Sequence, residues 1–283
     1  MGHTELAGTG GMTTSIPELI AGRMDAMPAG ERRAAQALVA NYPLIGLKTV
    51  ADFSAQAGVS SPTILRFVAR LGFQNYADFQ SALKEELAAQ LQSPASRTST
   101  LRHGGASPAV EAILENIRET FRHIPERQIC DIVSVLADHR AKVFLLGGRF
   151  TDPIACYMSA HMTIIRPNVF HLSGQESNWH DRLIDMGKRD ALLIFDIRRY
   201  QESLLRFAEK ADQRGAQIVL FTDQWLSPIA RLARHVVAGR TAVPSAWDSS
   251  AALFVLAETL IGDLTARREQ DSARRIREME NLR

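Results

Sequence analysis

The strongest constraint on this chain is an alternation in its second half. Short apolar runs at 142–146, 169–172, 191–196, 217–222 and 235–238 are each bounded by turn residues. Helical patterns fall between them at 153–162, 175–186, 201–214 and 228–233, and a long apolar-faced helix is predicted at 249–267. Strands that alternate with helices need crossover connections. The predicted fold is therefore an α/β doubly wound parallel sheet, covered on both faces. Sheets of this kind hold ligands at the carboxyl ends of their strands. The loops after Leu146, Asp196 and Thr222 are where to look.

The first half follows a different rule. Residues 15–91 read as all helix, and 92–108 is a polar run of Ser, Thr, Gly and Pro with little to bury. A length of 283 residues suits two domains. The expected layout is a disordered lead-in at 1–14, an all-α domain at 15–91, a linker at 92–108 and the α/β domain at 109–283. No apolar run reaches the ~18–20 residues that span a bilayer. The Gly- and Thr-rich start lacks the basic-then-apolar order of a secretory signal. Cys130 and Cys156 have no second Cys or His at metal-ligand spacing, so both are expected to be buried, reduced thiols. These features predict a cytoplasmic chain with no metal and no cofactor.

Residues 49–71 carry a helix-turn-helix pattern. Val50, Phe53 and Ala57 share one face of a short helix, and Gly58 can take positive φ at its end. Val59 tucks into the turn. Ser61 is the expected N-cap of a second helix, with Pro62 at its first position. Ile64, Phe67, Val68 and Leu71 form its apolar face, and Thr63, Arg66 and Arg70 form another. One face packs on the first helix while the other is free to enter a major groove. Ser60, Ser61 and Thr63 stand at the end that points into the groove, where hydroxyls meet base edges or phosphates. Arg66 suits a forked contact to guanine or phosphate. Lys48 and Thr49 open the first helix, a natural phosphate site. A plain helical hairpin that never meets DNA fits the same spacing. Charge does not decide the matter: the net charge is only +2. Between residues 48 and 84, Lys48, Arg66, Arg70 and Lys84 face only Asp52 and Asp78.

Residues 48–87 resemble the N-terminal domain of RpiR-type transcriptional regulators. The matching residues are Gly58-Val59-Ser60, Thr63, Arg66-Phe67, Leu71-Gly72-Phe73, and Tyr76 with Phe79. The preceding stretch ERRAAQALVANYPLI is similar as well. The resemblance implies a regulator that binds double-stranded operator DNA. It also implies a C-terminal sugar isomerase (SIS) domain that senses phosphosugars. AKVFLLGGRFTDPIA resembles the first strand and glycine loop of that domain, and GAQIVLFTDQWLSPIARLARHVV its fourth strand, Ser-Pro turn and fifth strand.

The ligand loops depart from the family pattern. Where that pattern places Ser-x-Ser-Gly-x-Thr, this chain reads Asp196-Ile-Arg-Arg-Tyr-Gln201. The first loop reads Gly147-Gly-Arg-Phe-Thr151. In one reading Arg149, Arg198 and Arg199 converge on a phosphosugar, a sugar acid or another carboxylate. Thr151, Asp196, Tyr200, Asp223 and Ser227 complete that candidate effector site. In the other, the arginines pair with Asp196, Asp223 or Asp248, the site is closed, and the domain only dimerises. Asp248 or Ser249 is expected to cap the last long helix.

An isomerase-like enzyme is the alternative of a different class. It needs a base near the sugar, and Glu176, His180 and His171 are the available groups. Glu176 and His180 sit at i, i+4 on a helix expected to be exposed, beside Trp179, which predicts a solvated or dimer-facing pair and no catalytic residue. The tail from Asp263 carries six basic and five acidic residues and reads as a solvated helix. Two recognition helices on a symmetric operator require a homo-oligomer, a dimer or tetramer.

Overall fold

A computed structural model describes residues 15–91, 97 and 106–282. The expected lead-in and all of the expected linker except Arg97 and residues 106–108 lie outside the described residues.

Five helices make the first unit: α1 (Ile16–Ala21), α2 (Ala29–Ala40), α3 (Val50–Ala57), α4 (Ser61–Leu71) and α5 (Tyr76–Leu91). They enclose one core, in which Phe53 and Phe67 meet edge to face with ring centroids 6.3 Å apart. Gly58 closes α3 at φ 63°, a left-handed conformation that glycine adopts without steric cost. The N-cap of α4 is Ser60, one residue before the expected Ser61. Its carbonyl accepts from Ile64 N at 3.2 Å, which starts the helix one residue earlier.

The second unit begins with α6 (Ala106–His123) and α7 (Glu126–Ala137). Helix α6 therefore starts inside the end of the expected linker. Strands β1 (Val143–Gly147), β2 (Val169–His171), β3 (Ala191–Asp196), β4 (Gln217–Asp223) and β5 (His235–Gly239) form one parallel sheet in the order β2-β1-β3-β4-β5. The connecting helices are α8 (Asp152–Ile165), α9 (Glu176–Leu183) and α10 (Glu202–Gln213), followed after the sheet by α11 (Ala251–Arg267) and α12 (Glu269–Asn281). Strand side chains alternate between two cores. Val143, Leu145, Leu193 and Phe221 pack under α7, α8 and α11, whereas Phe144, Leu146, Ile194 and Leu220 pack under α9 and α10. Both faces are covered, which explains the near-continuous apolar runs.

Several expectations need correction. Residues 228–233 form a short 3-10 turn at Pro228–Arg231, because Ser227 caps Ile229 N at 3.2 Å and β5 follows at once. Cys130 and Cys156 are exposed, since they lie on the outward faces of α7 and α8. Trp179 is buried against Phe207, so the helix around it is only half solvated. The tail is not merely solvated: α12 packs on α8, and Arg275 donates to the carbonyls of Ile164 and Thr163 at 3.0 and 2.8 Å.

The two units touch within the chain. Helix α2 packs on the turn at Pro228–Arg231. Glu18 of α1 pairs with Arg240, just after β5, at 2.7 Å, and both side chains are buried. The end of α5 reaches the loop after β3, where Ala89 O accepts from Arg198 Nη1 at 2.5 Å.

Candidate functional site

The first candidate surface is the outer face of α4. Ile64, Phe67, Val68 and Leu71 are fully buried, so the helix is fixed by its other side. Ser60, Arg66 and Arg70 are exposed, with Ser61 and Thr63 half-buried. Ser60 Oγ lies 2.9 Å from Thr63 Oγ1, and Arg66 Nη2 donates to Thr63 Oγ1 at 3.1 Å. A hydroxyl pair and a guanidinium are thus held together on one solvent-facing patch. Ser61 Oγ meets Ser54 Oγ at 3.2 Å and ties α4 to α3. Arg70 is drawn aside by an ion pair with the buried Glu31 of α2. Lys48 is exposed, and Thr49 caps α3 by accepting from Asp52 N at 3.1 Å.

The second candidate site follows from the strand order. The chain leaves β1 toward β2 on one side and returns through β3 on the other. The loops after β1 and β3 therefore diverge and leave a crevice at their strand ends. Gly147 permits the first loop to close: a Cβ there would lie 2.4 Å from the backbone of Asp152. Gly148 N and Thr151 Oγ1 both donate to Phe195 O, at 3.0 and 2.5 Å, and lock the two loops together. The Thr151 hydroxyl is buried and spent on this contact.

A cavity of about 740 Å³ opens above these loops. Of the eight residues expected at an effector site, Arg149, Thr151, Asp196, Arg198, Arg199 and Tyr200 line it. Asp223 and Ser227 lie beneath. Asp196 is buried; its Oδ2 accepts from Ser227 Oγ at 2.5 Å and its Oδ1 from Gln201 N at 3.3 Å. Burial pushes its carboxyl up to about 7, and the nearby Asp223 adds to the shift. Asp223 is raised to about 6 by its own burial, although Arg198 N, Tyr200 OH and Trp225 N all donate to it. The Tyr200 hydroxyl is held well above its ordinary range by burial and by Asp223.

The three arginines line the same cavity, but Arg198 is already paired. The Arg198 side chain grips Asp248 with two bonds of 2.6 Å and lies over the Trp225 ring, 4.1 Å from its centroid. Asp248 also accepts from Arg97 at 2.8 Å. Arg149 and Arg199 remain exposed at the rim, and among the described residues neither makes an ion pair. Asp248 is thus an ion-pair partner and not the expected cap; Ser250 precedes α11, and Ser249 Oγ accepts from Ala251 N at 3.3 Å. Sequence reasoning missed Trp247 and the carbonyl of Ala89. An exposed tryptophan beside Asp248 was the available signal for the first. Nothing local signals the second.

The groups considered for isomerase chemistry lie elsewhere. His171 Nε2 bonds Asp152 Oδ1 at 2.8 Å, His180 bonds the carbonyl of Glu176, and Glu176 faces Arg206 at 4.0 Å. None of the three lines the cavity. Among the described residues no group of His, Cys, Asp or Glu is arranged to hold a metal, and no helix is long and apolar enough to cross a membrane.

Comparisons with known proteins agree with both units. Residues 14–90 match the helix-turn-helix domain of the rpiR family, and residues 135–261 match the SIS domain. The sugar isomerase domain of an RpiR transcription factor from Sphaerobacter thermophilus superposes with a TM-score of 0.58 at 21% identity, over 61% of this chain and 96% of that one. The Vibrio vulnificus NanR protein complexed with ManNAc-6P superposes with a TM-score of 0.54 at 15% identity, over 94% and 97%. The bifunctional protein glk of Burkholderia thailandensis is 27% identical over 231 residues, covering 80% of this chain and 35% of that protein. Its counterpart in Paraburkholderia xenovorans is 28% identical over 234 residues. The chain spans about 35% of the length of these curated relatives. With an rpiR-family helix-turn-helix domain followed by a SIS domain on a five-stranded parallel sheet, the chain belongs to the RpiR-type regulator family.

Proposed function

We propose that this chain is a cytoplasmic, non-enzymatic transcriptional regulator that binds double-stranded operator DNA and responds to a small anionic sugar derivative. The observation that carries the reading is the outer face of α4. Ser60, Thr63 and Arg66 form an exposed polar patch on a helix whose opposite side is buried in the core. That face enters a major groove, with Arg66 reaching a base edge or phosphate and Lys48 and Thr49 meeting the backbone. A homo-oligomer places two such helices on a symmetric site.

The effector site is the strand-end cavity. Support comes from the solved NanR structure, whose bound molecule is a phosphosugar. Coupling to DNA runs through the same chain: Arg198 lines the cavity and holds Ala89 O, and the Gln90 side chain bonds Tyr200. An effector that moves the loop after β3 therefore moves the end of α5.

Genome-wide mapping of bound DNA tests the regulator reading. Discrete sites sharing a two-fold motif are expected. Purified protein that binds no mapped fragment more tightly than bulk competitor at moderate salt overturns it. The closure of Arg198 on Asp248 favours a second reading, a domain that only dimerises. Under that reading no small anion changes either the melting temperature or the affinity for DNA.

A further inference from the structure

We propose that the strand-end cavity selects a sugar acid bound in one polarity: hydroxyls inward on Asp196, ring face against Trp247 and Phe150, and a single carboxylate outward at Arg149 and Arg199. The inference rests on the effector reading above and deepens it.

The floor of the cavity rejects an anion. A phosphate held at a strand-end crevice normally uses the N–H groups at the start of the next helix. Here that place is taken: the Asp196 carboxylate, 1% exposed, accepts from Gln201 N at the start of α10 and from Ser227. Its Oδ1 lies 3.7 Å from where a Cβ on Gly148 would stand, so the carboxylate presses against the glycine loop itself. Above about pH 7, where both carboxyls are ionised, a phosphate pushed into this floor would meet a buried negative charge with Asp223 behind it. A carboxylate oxygen with a spare lone pair is instead an acceptor for ligand hydroxyls.

The rim has the opposite character. Arg149 and Arg199 are exposed cations that line the cavity and make no ion pair among the described residues. Beside them Phe150 and Trp247 are 60% and 57% exposed, with ring centroids 5.6 Å apart and the Arg149 guanidinium 5.3 Å from the Phe150 centroid. Two exposed aromatic rings at a cavity mouth are a costly way to end a loop unless something covers them. The C–H face of a pyranose or an extended polyol fits such a surface.

Charge chooses between acids. The cavity lining holds Arg97, Arg149, Arg198 and Arg199 against Asp196, Glu202 and Asp248. Above about pH 7, where the Asp196 carboxyl is ionised, four cations against three carboxylates leave one positive charge, which a monocarboxylate neutralises and a phosphate dianion exceeds.

Ligand titration with the full chain at about pH 8, where Asp196 is ionised, tests the proposal, using gluconate, glucuronate, glucose, glucose 6-phosphate and inorganic phosphate. The sugar acids are expected to raise the melting temperature and to bind at least about tenfold more tightly than glucose 6-phosphate. Glucose and inorganic phosphate are expected to bind weakly. In Asp196→Asn the floor loses its charge, so phosphate compounds should gain about tenfold. The double variant Arg149→Ala/Arg199→Ala should lose the sugar acids while its own melting temperature stays unchanged. Tighter binding of glucose 6-phosphate than of gluconate, or no gain of phosphate in Asp196→Asn, overturns the polarity while leaving an anion-responsive regulator in place. If no sugar acid binds, the inference falls as well, and DNA binding scored separately decides the regulator reading.

Discussion

The two candidate surfaces are built by opposite means. On α4 every contact that shapes the exposed patch comes from close by in sequence: Ser60 with Thr63, and Thr63 with Arg66. At the strand ends Arg198 alone joins Ala89, Asp223 and Asp248, from α5, β4 and the approach to α11. The first surface is open and free to meet a partner. The second is a network whose charges have largely found each other. Changes on α4 should therefore read out in binding, and changes at the strand ends in stability first.

The largest expected effect is at Arg198. Its side chain is 7% exposed, and Asp248 opposite is 12% exposed. Arg198→Ala strands that carboxylate with Arg97 alone and cuts the link to Ala89. Removing one partner of a buried pair costs about 3–5 kcal/mol. Chemical denaturation should show that loss, and Arg198→Lys should recover only part of it, because a single ammonium cannot make the fork. A loss no greater than that of an ordinary surface arginine would break the contrast between the two surfaces.

Arg66→Ala is the next largest, and its readout is different. The side chain is exposed, and among the described residues its one hydrogen bond goes to Thr63. Loss of one forked base contact is worth about 1–3 kcal/mol, or about 5- to 150-fold in affinity. The melting temperature should not move. A loss confined to sites with one particular base would assign Arg66 to base reading; a uniform loss would assign it to phosphate. Arg70 sharpens the comparison. It is held by Glu31, so Arg70→Ala should disturb the packing of α2 on α4 as well as DNA binding.

This difference also explains what the sequence revealed. A helix face, a Gly58 turn and a buried apolar stripe are set by residues within a few positions of one another. They were legible, apart from a one-residue shift of the cap to Ser60. Strand alternation was legible too, because burial of both sheet faces leaves uninterrupted apolar runs such as 191–195. Six of the eight residues expected at an effector site line the cavity, but which carboxylate Arg198 takes was left open. Arg198 had three possible carboxylates, and only the three-dimensional path of the chain before α11 brings Asp248 to it. Cys130 and Cys156 failed for a simpler reason: an apolar neighbourhood in sequence does not say which side of an amphipathic helix faces out.

The strand-end network should also respond to pH. The Asp196 carboxyl is raised to about 7 by burial, above the 3.8 of an unfolded aspartate. The folded chain therefore holds that proton more tightly than the unfolded chain does. The stability this contributes is complete below about 3.8 and is lost as pH rises through about 7. Asp223, raised to about 6, acts in the same direction. Scanning calorimetry between pH 8 and pH 5.5 should show the α/β domain gaining stability as the pH falls, by about 2–4 °C for each kcal/mol. Asp196→Asn should flatten that slope. A melting temperature that falls over the same range would mean that the buried carboxylates are ionised and satisfied. The floor of the cavity would then be a fixed anion.

The smallest effect falls at Thr49, where capping and DNA contact compete for one hydroxyl. Thr49 Oγ1 accepts from Asp52 N at 3.1 Å and donates to Asp52 Oδ2 at 2.7 Å. Both bonds serve α3, and both are exposed. Thr49→Ala removes a cap worth about 1 kcal/mol, while Thr49→Ser keeps it. If the hydroxyl serves only the cap, DNA affinity in Thr49→Ala should fall no further than the lost helix order requires, and added salt should change its affinity as it does the native chain's. If it also meets a phosphate, Thr49→Ala should weaken all DNA sequences alike, and Thr49→Ser should restore both stability and affinity. The side chain of Asp52 argues for the first outcome, since a carboxylate beside the hydroxyl repels the phosphate that would replace it. Asp52→Asn is then the decisive companion: it keeps the N–H that the cap needs, removes that charge, and should raise DNA affinity even if Thr49 itself never touches the backbone.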